Sequence, residues 1–285
     1  MKIIDDFEKK TRTDLQKEIV TMKCGNRVPI YTIETINDLI QYIGYVKYKN
    51  CKTEKVFIRG QIDTYNYTLV PSLYRQVLNT ERTAQSFYQM VNQVLKLKSF
   101  EKFPKSVLTA TLQHYGIKTP QIDVVDNLWI ALWFAANEFH GTIINSTEHL
   151  VVTPSSQKYG YIYLIASDAI NTTEKEGRGT YKGDKTTLID LRSALPSYYL
   201  RPHAQHAYML MKNNYSEKDY SDLVVGIAKI PIDKINKWIG NTELLSVNTL
   251  FPSAYYDFGY QILLKNFPAY DASVVKYRGS IQVVS

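Results

Sequence analysis

The chain has 285 residues, with 34 Lys and Arg against 27 Asp and Glu, a formal charge of +7. At 45% hydrophobic and 21% charged it has the composition of a chain that packs a core, which excludes disorder over most of its length. The modest 13 Gly and 10 Pro exclude collagen-like and low-complexity classes.

Residues 1–30 are mixed and polar and read as a helical arm preceding a single domain over residues 31–285. A helix is expected after Thr35, which can cap it with Asp38 in the first turn, because Ile36, Leu39, Ile40 and Ile43 form one apolar stripe. Val56-Phe57-Ile58 reads as a buried strand ending at Arg59-Gly60. Residues 82–98 form a second helical pattern, and a third helix is expected near Pro104, a residue suited to a first turn. The apolar run of residues 128–136 is too long for one strand and reads as a buried helix capped by Asp126 or Asn127.

The second half carries strand patterns at residues 159–166, 187–191, 208–211 and 223–230. Between the first two lies the Gly-rich, charged stretch 174–184, expected to be a mobile loop, without the Gly-Lys-Ser/Thr ending of a P-loop. Short helices are expected at residues 232–239 and 252–264, and a last strand within 273–284. The resemblance of Tyr277-Arg278-Gly279 to Ile58-Arg59-Gly60 is taken as chance. Helices early and a mixed or antiparallel sheet late predict an α+β fold.

Cys24 and Cys51 cannot make a disulfide framework and have no His at ligand spacing, so no metal site is expected. Met1-Lys2-Ile3-Ile4-Asp5-Asp6 turns acidic before any run of signal-peptide length. No apolar stretch approaches the roughly 20 residues of a membrane span. The expectation is a soluble, cytoplasmic protein without a membrane partner. The charge of +7 fits a nucleic acid, a phosphate-bearing ligand or a solvated basic surface, and the lysines are scattered. The 23 Tyr beside 10 Phe and 3 Trp suit half-wet grooves as well as cores.

Arg59 stands at a strand end, where its fork of donors can meet a phosphate or a buried carboxylate. Phe57-Ile58-Arg59-Gly60-Gln61 is followed by Pro71-Ser72-Leu73-Tyr74-Arg75, then Gln113-His114-Tyr115-Gly116-Ile117-Lys118-Thr119, then Ile122-Asp123 and Ala131-Leu132-Trp133-Phe134-Ala135. Arg201-Pro202-His203-Ala204-Gln205 and Leu250-Phe251-Pro252 come later. In order and spacing these motifs resemble the FRG domain family, named for its Phe/Tyr-Arg-Gly motif, across about residues 33–265. The family's Trp-Thr after the Asp is replaced by Val124-Val125, its Phe-Pro-Asp-Leu by Phe251-Pro252-Ser253-Ala254, and its Gln-x-Gly-x-Phe by Gln205-His206-Ala207-Tyr208-Met209. Arg59, Arg75, His114, Asp123 and Gln205 stay in place.

The order of Arg59 on a strand, a helix with Ala-Leu-Trp-Phe-Ala, and Gln205 before a late strand is also similar to ADP-ribosyltransferases of the Arg-Ser-Glu type. That resemblance implies an NAD-dependent ADP-ribosyltransferase, a toxin or phage-defence effector with a neutralising antitoxin protein, and the basic balance and the tyrosines favour RNA as its acceptor. Arg59 and Arg75 would hold the NAD phosphates, Tyr115 would stack the nicotinamide, Asp123 would belong to the same cofactor site, and Gln205 would organise ribose or acceptor. An amide cannot act as a carboxylate base, which leaves His114, His203 or His206 for proton transfer. A non-catalytic nucleotide- or nucleic-acid-binding module and an NAD hydrolase stand as alternatives. Each residue also has a structural reading: His114-Tyr115 as a buried pair at the Gly116 turn, Asp123 and Arg75 as braces, Trp129 and Trp133 as core.

Overall fold

A computed structural model of the chain describes residues 2–11, 14–75, 80–144, 147–172, 177–214, 216–266 and 280–282. The first half runs α1 (Phe7–Thr11), β1 (Lys17–Thr21), β2 (Arg27–Thr32), α2 (Ile36–Asn50), β3 (Lys55–Gln61), α3 (Thr80–Val94), α4 (Lys105–His114), β4 (Ile122–Val125) and α5 (Leu128–Ala136). Strands then dominate: β5 (Asn137–Ile144), β6 (Thr147–Pro154), β7 (Tyr159–Ser167), β8 (Asn171–Thr172), β9 (Thr180–Lys182) and β10 (Thr186–Asp190). The remainder is α6 (Leu191–Ala194), α7 (Leu200–Ala204), β11 (Ala207–Lys212), β12 (Val224–Pro231), α8 (Ile232–Ile239), α9 (Val247–Leu250), α10 (Phe258–Asn266) and β13 (Ser280–Gln282).

The fold is α+β. A ten-stranded sheet has the order β1-β2-β12-β7-β3-β4-β11-β10-β9-β8, antiparallel throughout except for the parallel pair β12–β2. A second sheet, β13-β6-β5, stands apart from it. Among the described residues, helices and strands are more interleaved than helices early and strands late, with four strands before α5 and five helices after β10.

The expected N-terminal arm is not a helical arm. After the single short helix α1, β1 and β2 form an antiparallel hairpin, and β2 joins β12 inside the large sheet. Val28, Ile30 and Tyr31 are buried, so this segment lies in the core. Thr35 caps α2 as expected, accepting from the Asp38 amide at 3.2 Å. The buried stripe of α2 is Leu39, Tyr42, Ile43 and Val46, and Ile40 faces water at 50% exposure. Residues 174–176 of the expected loop lie outside the described residues, and Thr180–Lys182 pairs with β10 as β9. Residues 273–279 and 283–284 of the expected last strand are also outside them, while Ser280–Gln282 pairs with β6.

Helix α5 sets the geometry of the centre. The Asn127 side chain accepts from the amides of Trp129 and Ile130 at 2.9 and 3.3 Å, and most of the helix is buried. It can press against β3 and β7 only because glycines face it there. A Cβ on Gly60 would stand 1.8 Å from the Ala131 carbonyl oxygen, and one on Gly160 2.5 Å from that of Ala135. The core on this face joins α2, α5 and α8, while a second core on the other face of β7 contains Phe57, Tyr163 and Ile165. A third gathers α3, α4 and α10.

Candidate functional site

Strand β3 pairs with β7 along its whole length, Lys55 to Gln61 against Ser167 to Tyr161. With β4 it pairs only at Ile58–Val125, although β4 itself is fully paired to β11. Beyond Ile58 the two strands part, and the side chain of Arg59 spans the gap. Its Nη1 donates to the Asp123 carbonyl oxygen at 2.7 Å and its Nε to Gln61 Oε1 at 3.0 Å. The Asp123 carboxylate lies 3.7 Å from Nη1. Burial pulls the guanidinium down from its ordinary value while Asp123 pulls it back up. Nη2 makes no hydrogen bond within the described residues, so one edge of the fork remains for a guest.

The motif residues hold Asp123 through a relay. The Ser72 hydroxyl accepts from the Thr119 amide at 3.2 Å, the Thr119 hydroxyl donates to Gln113 Oε1, and Gln113 Nε2 donates to the Asp123 carboxylate at 2.6 Å. Five separated motif positions are thereby joined into one hydrogen-bonded chain ending at Arg59.

A cleft of about 530 Å³ opens over this parting. Arg59, Arg75, His114, Asp123 and Gln205 all line it, from β3, the Pro71-Ser72 turn, α4, β4 and the end of α7. Arg75 is exposed and held by its Nε donating to the Val70 carbonyl at 2.9 Å. Gln205 is buried, its Nε2 donating to the Leu250 carbonyl at 2.6 Å, while its Oε1 makes no hydrogen bond within the described residues. His114 is buried, neither ring nitrogen has a hydrogen-bond partner among the described residues, and burial pushes its pKa down to about 4 despite the Asp123 oxygen 3.8 Å away. It is therefore neutral near pH 7, and its conjugate acid is too strong for it to hold a proton there as a general base.

Tyr115 does not line the cleft. Its ring is 2% exposed, lies under the Arg201 guanidinium at 4.7 Å, and its hydroxyl donates to Asp257 at 2.6 Å. Stacking on a ligand is thus closed to it by packing. The aromatic wall consists of Tyr65, Phe134, Phe139 and Phe251, with Phe134 and Phe139 stacked at 5.6 Å. Tyr65, 47% exposed, opens a run of three residues with left-handed backbone (φ 48° to 56° over Tyr65, Asn66 and Tyr67), a conformation costing about 1–2 kcal/mol per residue. The other proposed histidines lie off the lining: His206 meets Asp126 at 3.4 Å and Arg192 at 3.1 Å.

Three further residues complete the site. Glu138, at the start of β5, lines the cleft; hydrogen bonds from the Ser155 hydroxyl and from the Ser156 amide and hydroxyl hold its carboxyl below the usual range, so it is ionised. Arg201 lines the cleft from beneath, its Nη1 donating to the His114 carbonyl at 2.9 Å and its guanidinium packed between the rings of Tyr115, Tyr260 and Phe251. Asp257, fully buried, accepts from Tyr115, from the Arg201 amide at 3.1 Å and from the Tyr260 amide at 3.0 Å, tying α7 to α10. No cluster of metal-ligating side chains occurs among the described residues, and none of the described helices is long and apolar enough to cross a membrane. Residues 54–141, the stretch from β3 to β5, match the FRG domain. No curated protein and no solved structure matches the chain.

Proposed function

We propose that this FRG-domain chain takes NAD as a substrate in the Arg59 cleft and transfers its ADP-ribose, an ADP-ribosyltransferase-like activity. The observation that carries this reading is that Arg59, Arg75, Gln205 and Glu138 line one cleft of about 530 Å³ beside an aromatic wall. The open edge of Arg59, with Arg75, suits a pyrophosphate. Phe134, Phe139 and Tyr65 offer rings to the nicotinamide or adenine. The Gln205 Oε1 can accept from a ribose hydroxyl, and the ionised Glu138 is the negative charge that a developing ribose cation requires.

In the reaction the bond between ribose C1′ and the nicotinamide nitrogen breaks, and its electron pair leaves with neutral nicotinamide. A lone pair of the acceptor then closes on C1′, and the acceptor's proton passes to solvent. Neutral His114, whose ring nitrogens have no hydrogen-bond partner among the described residues, fits a role in hydrogen bonding to substrate better than one in proton transfer. The acceptor we propose is RNA, because the basic balance favours polyanions and bases stack on exposed aromatic side chains. A transferase of this kind acts as a toxin or defence effector in the cytoplasm, with a neutralising antitoxin protein as partner.

The test is incubation of purified protein with adenine-labelled NAD and total RNA or protein. Labelled RNA with release of nicotinamide is the expected result, falling about 100-fold or more in Arg59→Ala and Glu138→Gln. Nicotinamide release without transfer would make water the acceptor and the chain an NAD hydrolase. NAD binding without turnover would leave a nucleotide-binding module, and failure to bind NAD would overturn the reading.

A further inference from the structure

We propose a second phosphate-ester site, separate from the Arg59 cleft, at the N-terminal end of α4. A cavity of about 710 Å³ is lined there by Tyr88, Lys105, Ser106, Gln121, Lys182 and Asn213, among others. Among the described residues of its lining, two are lysines and none is a carboxylate. The ten-residue helix begins after Pro104, which has no side-chain oxygen to offer the first-turn amides and makes no capping bond. The first-turn residues Lys105 and Ser106 are part of the cavity lining, and the positive end of a helix dipole beside a cavity favours an anion there.

An independent feature points to a ligand. Gln121 is 1% exposed, yet neither its Oε1 nor its Nε2 has a hydrogen-bond partner among the described residues. Buried amides are almost always satisfied, and this one lines the cavity, where a ligand can supply both partners. The Lys105 ammonium sits 4.8 Å from the centre of the Tyr88 ring, which sets a cation beside an aromatic surface. The ligand chemistry is therefore a phosphate ester carrying a base: a mononucleotide, or one nucleotide of an RNA strand.

The site is joined to the Arg59 cleft. Helix α4 carries Lys105 and Ser106 at one end and Gln113 and His114 at the other, about 12 Å apart along its axis. Gln121 also lines the smaller pocket that contains Arg59, Arg75 and Asp123, so the two sites share a wall. An RNA acceptor would be gripped at one end of α4 and modified at the other.

The experiment titrates AMP, adenosine and a short single-stranded RNA into wild-type protein and variants at low ionic strength, followed by calorimetry and by amide chemical shifts. AMP is expected to bind with a Kd of about 1 mM or tighter, and adenosine at least about tenfold more weakly. Shifts should centre on residues 105–107 in the wild-type chain, a readout that needs no variant to fold. Lys105→Ala with Lys182→Ala should weaken AMP about tenfold, and Gln121→Leu at least about threefold without lowering the melting midpoint, since no hydrogen bond is lost. Arg59→Ala should leave this binding unchanged. RNA binding more tightly than AMP with the same sensitivities assigns the site to nucleic acid, and equal affinities assign it to the free nucleotide. Shifts confined to residues 59–61, insensitivity to the lysine and Gln121 variants, loss with Arg59→Ala, or no binding at about 1 mM would each overturn the proposal.

Discussion

His114 shows how one buried group ties stability to pH. Its pKa of about 4 lies below the ordinary 6.5 because burial disfavours the imidazolium. Between pH 6.5 and 4 the unfolded chain takes up a proton that the native site refuses. Stability from this residue is therefore complete above about pH 6.5 and is lost as pH falls towards 4, an effect of about 3 kcal/mol. Urea unfolding at pH 7 and near pH 4 should show a steeper loss for wild type than for His114→Gln; parallel losses would mean that His114 is not held neutral. At this scale much of the site was legible. Arg59, Arg75, His114, Asp123 and Gln205 were found from a guanidinium at a strand end and from motif order, and all line one cleft. Glu138 was not, because it follows the apolar run of α5 and reaches the cleft only through the turn into β5. Arg201 and Asp257 escaped for a related reason: a charge that is satisfied by rings and amides far along the chain looks like surface in sequence.

Among the elements, contact between α5 and the sheet is the most exacting. Replacing Gly60 with Ala puts a methyl group 1.8 Å from a backbone oxygen, where neither helix nor strand can yield cheaply. Gly44, by contrast, is exposed on α2, and a Cβ there would meet open space. Gly60→Ala is expected to cost about 3 kcal/mol or more, and Gly44→Ala to stabilise by up to about 1 kcal/mol, both read from urea midpoints. Equal effects would sink the packing account. The same contact explains what local pattern could and could not foretell. Helix α5 and strands β7, β10, β11 and β12 announce themselves as apolar runs because they are buried on both sides. Strand β4 is four residues long, and β5–β6 mix His and Glu with apolar residues because their sheet stands partly in solvent. The hairpin β1–β2 read as a polar arm because β1 is an edge strand with mostly exposed or half-buried side chains.

For the whole molecule, the fold class followed from composition and pattern, but the opening between β3 and β4 did not. It depends on where a ladder stops, which is a property of two strands 64 residues apart in sequence. That stop gives the large sheet an edge in its interior. Around the cleft the two halves of the sheet are held together by a side chain reaching across and not by a backbone ladder. Peptide groups bordering the parting should then exchange their amide hydrogens for deuterium faster than those of the β3–β7 ladder, and a ligand seated on Arg59 should slow that exchange at residues 59–61 and 122–124. Hydrogen exchange alike on both sides of β3 would contradict this. Such a border behaves as a seam: the molecule can widen it without breaking either half, so the cleft can admit a bulky guest while the cores on both faces stay closed.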